Sequence, residues 1–496
     1  MSPFLRRLMG RRAGRITVEP IGQTGPLRSQ KGTATLLPSL GYFGGIAANH
    51  LCVSVPSPVA EIRLSLPGTA EQLDLRGLEL LRERRLVRVD EGRTRISQSS
   101  GGRSHGVQRS PLAFGGIRTE RESSPWWAMA FDPPIDIDEV RLYNRLDGWG
   151  VRADHLAVAF SEPGGELQDL VSVDSDLIID STLALLRRLT GLDLPVEILA
   201  TKGSADQARR EVLGSLAGLA SRARLAKSRE EQRLLASLLP RRPMAGQKNL
   251  TDDEWALLGH LLACERLRVP SSKTSVVSFH RVLDTRDKLS RLETEVNRAA
   301  TVLRCEPVLL TRHGFSEVSA LRRRSGEFLD LIERAGNVLA ECGYPAMLAY
   351  GTLLGAVREG DFLAHDDDVD MLIPIPAATR DDVEKALAPL ADQLRARGWR
   401  VSRPNSYTNF HLTDPGTRLH VDVFPLLVDG SSASLHMEEM RLRPIPTRIV
   451  LPPKPFTFLG RDVLVPADPE AFLEERYGAG WSTPDPFYDW PWKLQD

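Results

Sequence analysis

The chain has 496 residues, 42% hydrophobic and 26% charged, with 64 basic against 65 acidic side chains for a net charge of -1. That length suggests about three domains, and the composition is that of a globular protein. The balanced charge excludes a global field suited to nucleic acid or an acidic polymer, and no apolar run is long enough to cross a bilayer.

Residues 1–59 are rich in Gly, Pro and Ser, with short apolar pieces such as LCVSV, and no fold is assigned to them. They open with MSPFLRRLMGRRAGRI, five arginines and no acid, without the apolar stretch of a secretory signal. The segment reads as a solvated basic extension, with a peripheral foothold on an anionic membrane face as the alternative. The expected location is cytoplasmic. Cys52, Cys264, Cys305 and Cys342 are far apart without a CxxC spacing, which suits a reducing compartment and gives no zinc site.

Over 60–200 the segments EIRLSL, QLDLRGLEL, LVRV, TRISQS, EVRLYNR and HLAVAF alternate with period 2 between Gly and Pro, predicting an antiparallel β-sandwich. Over 201–325 the period lengthens to a helical connector, with capping boxes expected at Ser204–Gln207 and Thr251–Glu254. Over 326–496 helix and strand signals mix, and Cys342-Gly343 reads as a helix end. The fold class is therefore multidomain α+β, ending in an α/β domain.

The chemistry concentrates in AYGTLLGAVREGDFLAHDDDVDMLIPI. Asp366, Asp367, Asp368 and Asp370 lie within five positions between apolar flanks. Two unit charges 4 Å apart repel by roughly 4 kcal/mol near a protein surface, so a cation or open solvent must relieve them. If DVDMLIPI is a strand, Asp368 and Asp370 share a face, Val369 points into the core, and Asp367 faces away. HVDVFPLL places Asp422 the same way. On neighbouring strands Asp368, Asp370 and Asp422 would cradle Mg²⁺ or Mn²⁺. Upstream, Tyr350-Gly351-Thr352 reads as a tight turn opening a short helix whose N-terminus suits a phosphate, and Arg358 is a candidate phosphate contact. Small turn, helix, paired carboxylates and a third carboxylate one strand later form the constellation of a nucleotidyltransferase-type site.

YGTLLGAVREGDFLAHDDDVDM, VDVFPL and the tail LPPKPFTFLGRDVLVPADPEAFLEERYGAGWSTPDP resemble the LicD/fukutin-related phosphotransferases, in that family's motif order over about 160 residues. The resemblance implies a nucleotidyltransferase fold and metal-dependent transfer of a phospho-alcohol, such as phosphocholine, glycerol phosphate or ribitol phosphate. The donor would be CDP-linked and the acceptor a hydroxyl of a cell-surface or capsular glycan. It makes Asp368 and Asp370 metal ligands and Asp422 third ligand or general base. Gly351 and Thr352 would turn over the donor phosphates, with His365 and Asp366 bordering the pocket. Ala364 stands where the family usually has proline.

SSPWWAMAF and EVRLYNRLDGWGVRADHLAVAFSEPG resemble a discoidin-like (galactose-binding-like) β-sandwich, which implies glycan binding through loops. Trp126 and Trp127 read as core and edge packing, Trp149 as the candidate sugar contact. His411 and His420 read as structural, and Arg476-Tyr477-Gly478 as a helix end or an acceptor contact. The competing functions are a glycan-binding protein with an inactive C-terminal domain and a nucleic-acid nucleotidyltransferase, for which no basic stripe lies near the motif.

Overall fold

The computed structural model of the chain describes residues 29–40, 50–83, 85–89, 91–101, 116–145, 148–153, 156–172, 175–244, 246–269, 271–377, 379–402, 409–437, 441–488 and 490–495. The basic extension and the side chain of Trp149 lie outside them. The chain divides into two compact units, residues 1–306 with 494–496 and residues 307–493. Among the described residues no helix is long and apolar enough to cross a membrane.

Among the described residues the first unit contains, besides two two-stranded ladders, two larger antiparallel sheets. One has the strand order 50–54, 139–143, 77–82, 85–86, and the other 168–172, 157–161, 59–65, 126–135, 94–98. Their inward side chains share one core: Leu64, Trp127 and Met129 from one sheet, and Leu78, Val140 and Leu142 from the other. Trp127 is fully buried, whereas Trp126 carries the Arg63 guanidinium over its ring at 4.3 Å. LCVSV, within the span left unassigned, supplies the edge strand His50–Ser54.

Strands stop at Ser172, well short of residue 200, and the helix Ser175–Thr190 follows. Its buried Ile179, Leu183 and Leu186 are spaced at one helical turn, a period that the short alternation before it obscured. The helix Lys202–Ala220 is capped by Thr201, whose Oγ1 accepts the Ser204 N–H, so Ser204 is the third helical residue rather than the cap. The capping box at Thr251–Glu254 forms as expected. Glu254 also accepts from the buried Arg209, which donates to the Leu36 and Leu238 carbonyls and so ties three segments together. These helices share a compact unit with the strands.

The second unit begins with the hairpin β1 (Val308–Thr311) and β2 (Gly314–Glu317), inside the span expected to be helical. Helix α1 (Ser325–Glu341) ends with Gly343 in the left-handed region, φ 89°. Next come β3 (Met347–Leu348), α2 (Tyr350–Arg358), β4 (Asp370–Pro376) and α3 (Arg380–Ala396). The strands β5 (Arg400–Ser402), β6 (Phe410–Thr413), β7 (His420–Asp429), β8 (Ser432–His436) and β9 (Leu442–Pro446) follow. A second hairpin, β10 (Lys454–Phe458) and β11 (Arg461–Val465), leads to α4 (Pro469–Tyr477).

The sheet order is β3-β4-β7-β6-β5, with β8 on β7 and β9 on β8. Only the β4–β7 pair is parallel among these. Met371, Leu372 and Ile373 are all buried, so both faces of β4 are covered and its sequence runs continuously apolar. Residues of α1 (Leu331, Ala335) and α3 (Leu387, Leu394) belong to the same core.

Candidate active site

Backbone pairing assembles the site at the start of β4. Met347 and Leu348 pair with Leu372 and Met371, and the Ala349 N–H donates to the Asp370 carbonyl. The chain then turns into α2 at Tyr350, a buried residue held at φ 45°. A left-handed conformation at a bulky residue costs on the order of 1 kcal/mol or more and persists only where the surroundings enforce it. The parallel register sets Asp370 beside Asp422, whose N–H donates to the Val369 carbonyl at 2.8 Å. On the other edge of β7, antiparallel β6 sets His411 opposite Asp422. The turn joining β6 to β7 is locked by Asp414, which accepts from the Gly416 and Thr417 N–H groups and from Arg334 of α1.

Asp368, Asp370 and Asp422 each present a carboxylate oxygen within 4.8 Å of the others. Burial, followed by the charges of Asp368 and Asp422, pushes Asp370 well above the usual carboxylate range, opposed by the Gly351 N–H and the Arg312 charge. Burial and Asp368 raise Asp422 to about 7, with His420 opposing. Asp366 is pushed well above its ordinary value by burial and by the Asp368 and Asp370 charges. Asp366 Oδ2 and Asp422 Oδ1 are buried and accept no hydrogen bond among the described residues. Orphaned carboxylate oxygens are costly unless a cation meets them, so the donor set fits a hard divalent ion.

Gly351 and Thr352 lie in the first turn of α2, not in a tight turn before it. A Cβ on Gly351 would sit 2.5 Å from Asp366 Oδ2. Thr352 is fully buried, and its Oγ1 accepts the Asp370 N–H at 2.9 Å, so it fixes the helix to β4 and does not face a donor. Arg358 lines the cleft, but it donates to the Trp481 carbonyl and pairs with Glu359. His365 and Asp366 line the cleft as expected, and so does Asp367. Asp367 does not point away because β4 begins only at Asp370, so strand alternation does not govern 366–368.

Three lining residues carried no sequence signal. Thr311, Arg312 and His313 reach the cleft from the tip of the β1–β2 hairpin, with His313 Nε2 at 3.8 Å from Asp368 Oδ2. Arg476 of α4 stands among the rings of Tyr350, Tyr477 and Tyr488, at 5.8, 5.0 and 5.3 Å. His411 and His420, read as structural, both approach Asp422 Oδ1, at 3.5 and 3.9 Å. Burial holds the His411 imidazole below its ordinary range. The cleft, lined by His411 but not by His420, encloses about 450 Å³.

Residues 343–468 match the family model LicD/FKTN/FKRP, nucleotidyltransferase domain. The matched segment runs from the end of α1 through β11, and so contains α2, β4, β7 and all three clustered carboxylates. It supports phosphotransfer of a general kind by this LicD-type segment. The β1–β2 hairpin and Arg476 lie outside it. No curated protein matches the chain.

Proposed function

We propose that the second unit is a metal-dependent transferase that moves a phospho-alcohol from a CDP-linked donor to a glycan hydroxyl, with release of CMP. The observation that carries this reading is the parallel β4–β7 register, which sets Asp370 beside Asp422 with Asp368 adjoining. Asp368, Asp370 and Asp422 would hold Mg²⁺ or Mn²⁺, which supplies charge neutralisation for the diphosphate.

The remaining work falls to the chain. The first turn of α2 directs its positive dipole end, including the Gly351 N–H, toward the acidic cluster and holds Asp370 in place. Arg312 adds a guanidinium suited to phosphoryl oxygens. In the transfer the acceptor oxygen bonds to the phosphorus bearing the alcohol, and the bond from that phosphorus to the oxygen bridging it to CMP breaks. The hydroxyl proton passes to Asp422, whose carboxylate lines the cleft beside the cluster.

The test is CMP release from a panel of CDP-alcohols with glycan acceptor, with Mn²⁺ or Mg²⁺ against EDTA. The wild type should release CMP only with the divalent ion, and Asp370→Asn should lower the rate by about 10²–10³-fold or more. Full activity in EDTA or in the Asp370→Asn protein would refute the assignment.

A further inference from the structure

We infer that β6 and β7 carry a second cation site, made by His411, His420 and Asp422, which takes a borderline transition-metal dication such as Zn²⁺ or Co²⁺ in preference to Mg²⁺. The antiparallel register sets His411 directly opposite Asp422, and His420 lies two residues before Asp422 on the same strand. The pleat therefore turns all three side chains to one face of the sheet.

The three ligand atoms lie within 4.8 Å of one another, and the two imidazole rings are 5.1 Å apart with a 31° tilt. Both Nε2 atoms approach the same oxygen, Asp422 Oδ1, at 3.5 and 3.9 Å. These separations exceed the ~2.7–3.2 Å of a hydrogen bond. The His411 separation is close to the roughly 3.3–3.4 Å between neighbouring ligands on a tetrahedral ion with bonds of about 2.0–2.1 Å, and the His420 separation is about half an ångström longer, within reach of a small side-chain rotation. Among the described residues Asp422 Oδ1 is buried and accepts no hydrogen bond, so the two nitrogens approach the oxygen without bonding it. The histidine side chains are 35% and 50% exposed, which leaves an ion a way in.

Ligand chemistry separates this site from the carboxylate group. Imidazole favours borderline ions, whereas Mg²⁺ keeps oxygen donors and several waters. Asp422 is common to both sets, so the two ions would share one carboxylate.

The experiment uses the full chain, stripped of metal and titrated with Co²⁺ in excess Mg²⁺. The readouts are the Co²⁺ absorption spectrum and the Co²⁺ retained after desalting. The wild type should retain one Co²⁺ per chain under Mg²⁺. His411→Gln and His420→Gln, checked for folding by thermal melting, should each weaken Co²⁺ binding by at least the ~10–100-fold that loss of even an outer-shell partner costs. Asp368→Asn should leave Co²⁺ binding in place, because Asp368 belongs only to the carboxylate set. The assignment is overturned if the wild type retains no Co²⁺ under Mg²⁺, or if both histidine variants bind it as the wild type does. It is also overturned if Asp368→Asn alone abolishes binding, which would place the ion among the carboxylates. None of these outcomes depends on a CDP-linked donor, so the transferase reading stands or falls separately.

Discussion

At Gly351 the absence of a side chain matters more than backbone freedom. Its helical conformation suits any residue, but Asp366 Oδ2 occupies the space a Cβ would need. Gly351→Ala should displace the Asp366 carboxylate, destabilise the unit by about 1–3 kcal/mol as overpacking does, and weaken Mn²⁺ binding. Unchanged Mn²⁺ affinity by calorimetry in a folded Ala variant would show that Asp366 does not support the metal set. Gly355 plays a similar part, since its Cβ would meet the Asp361 carbonyl oxygen at 2.6 Å. The motif YGTLLGAV thus marks two close approaches within a helix rather than a phosphate turn. The roles of Gly351 and Thr352 were legible as "near the site", but the direction of each was not. Thr352 looks like a donor contact in the sequence, and only the hydrogen bond to the Asp370 N–H reveals an anchor.

Among the elements, β4 and β7 were the most legible, because Val369, Val421 and Val423 alternate with Asp370 and Asp422 and are fully buried. The β1–β2 hairpin was illegible. Four-residue strands joined by Arg312-His313 offer neither a glycine-rich turn nor enough residues for a period. The helix Asp252–Arg266 shows a different limit: its pattern was plain, but the burial of Glu265 was not. This carboxyl is 2% exposed and accepts from Ser275, and burial raises it to about 7 against the opposing Ser275 and Ser272 hydrogen bonds and Arg268 charge. The folded state therefore holds a proton that the unfolded chain releases near its ordinary value of 4.5. The resulting stability is complete below that value and is lost as pH rises through about 7. Glu265→Gln, always neutral, should flatten this dependence and gain on the order of 1–3 kcal/mol over wild type between pH 4.5 and pH 8, by denaturant unfolding at each pH. A parallel pH profile in the two proteins would show that Glu265 ionises normally in the fold.

At the scale of the whole molecule, the two units each bury a hydrophobic core of their own. Calorimetry should accordingly resolve two unfolding transitions. Mn²⁺ with a CDP-alcohol at a hundredfold excess over Kd should raise one of them by roughly 5–10 °C and leave the other in place. A single transition that moves as a whole would mean that the units unfold together. By itself the sequence determined the alternation of strands and helices and the identity of the three carboxylates, because local periodicity and residue chemistry are written in neighbouring positions. Tertiary structure alone decided that Asp370 meets Asp422 in register, that Arg312 and His313 arrive from a hairpin outside the matched segment, and that His411 and His420 flank one carboxylate oxygen. Those contacts join residues many positions apart through strand pairing, and pairing depends on which surfaces bury one another, information no short window of sequence contains.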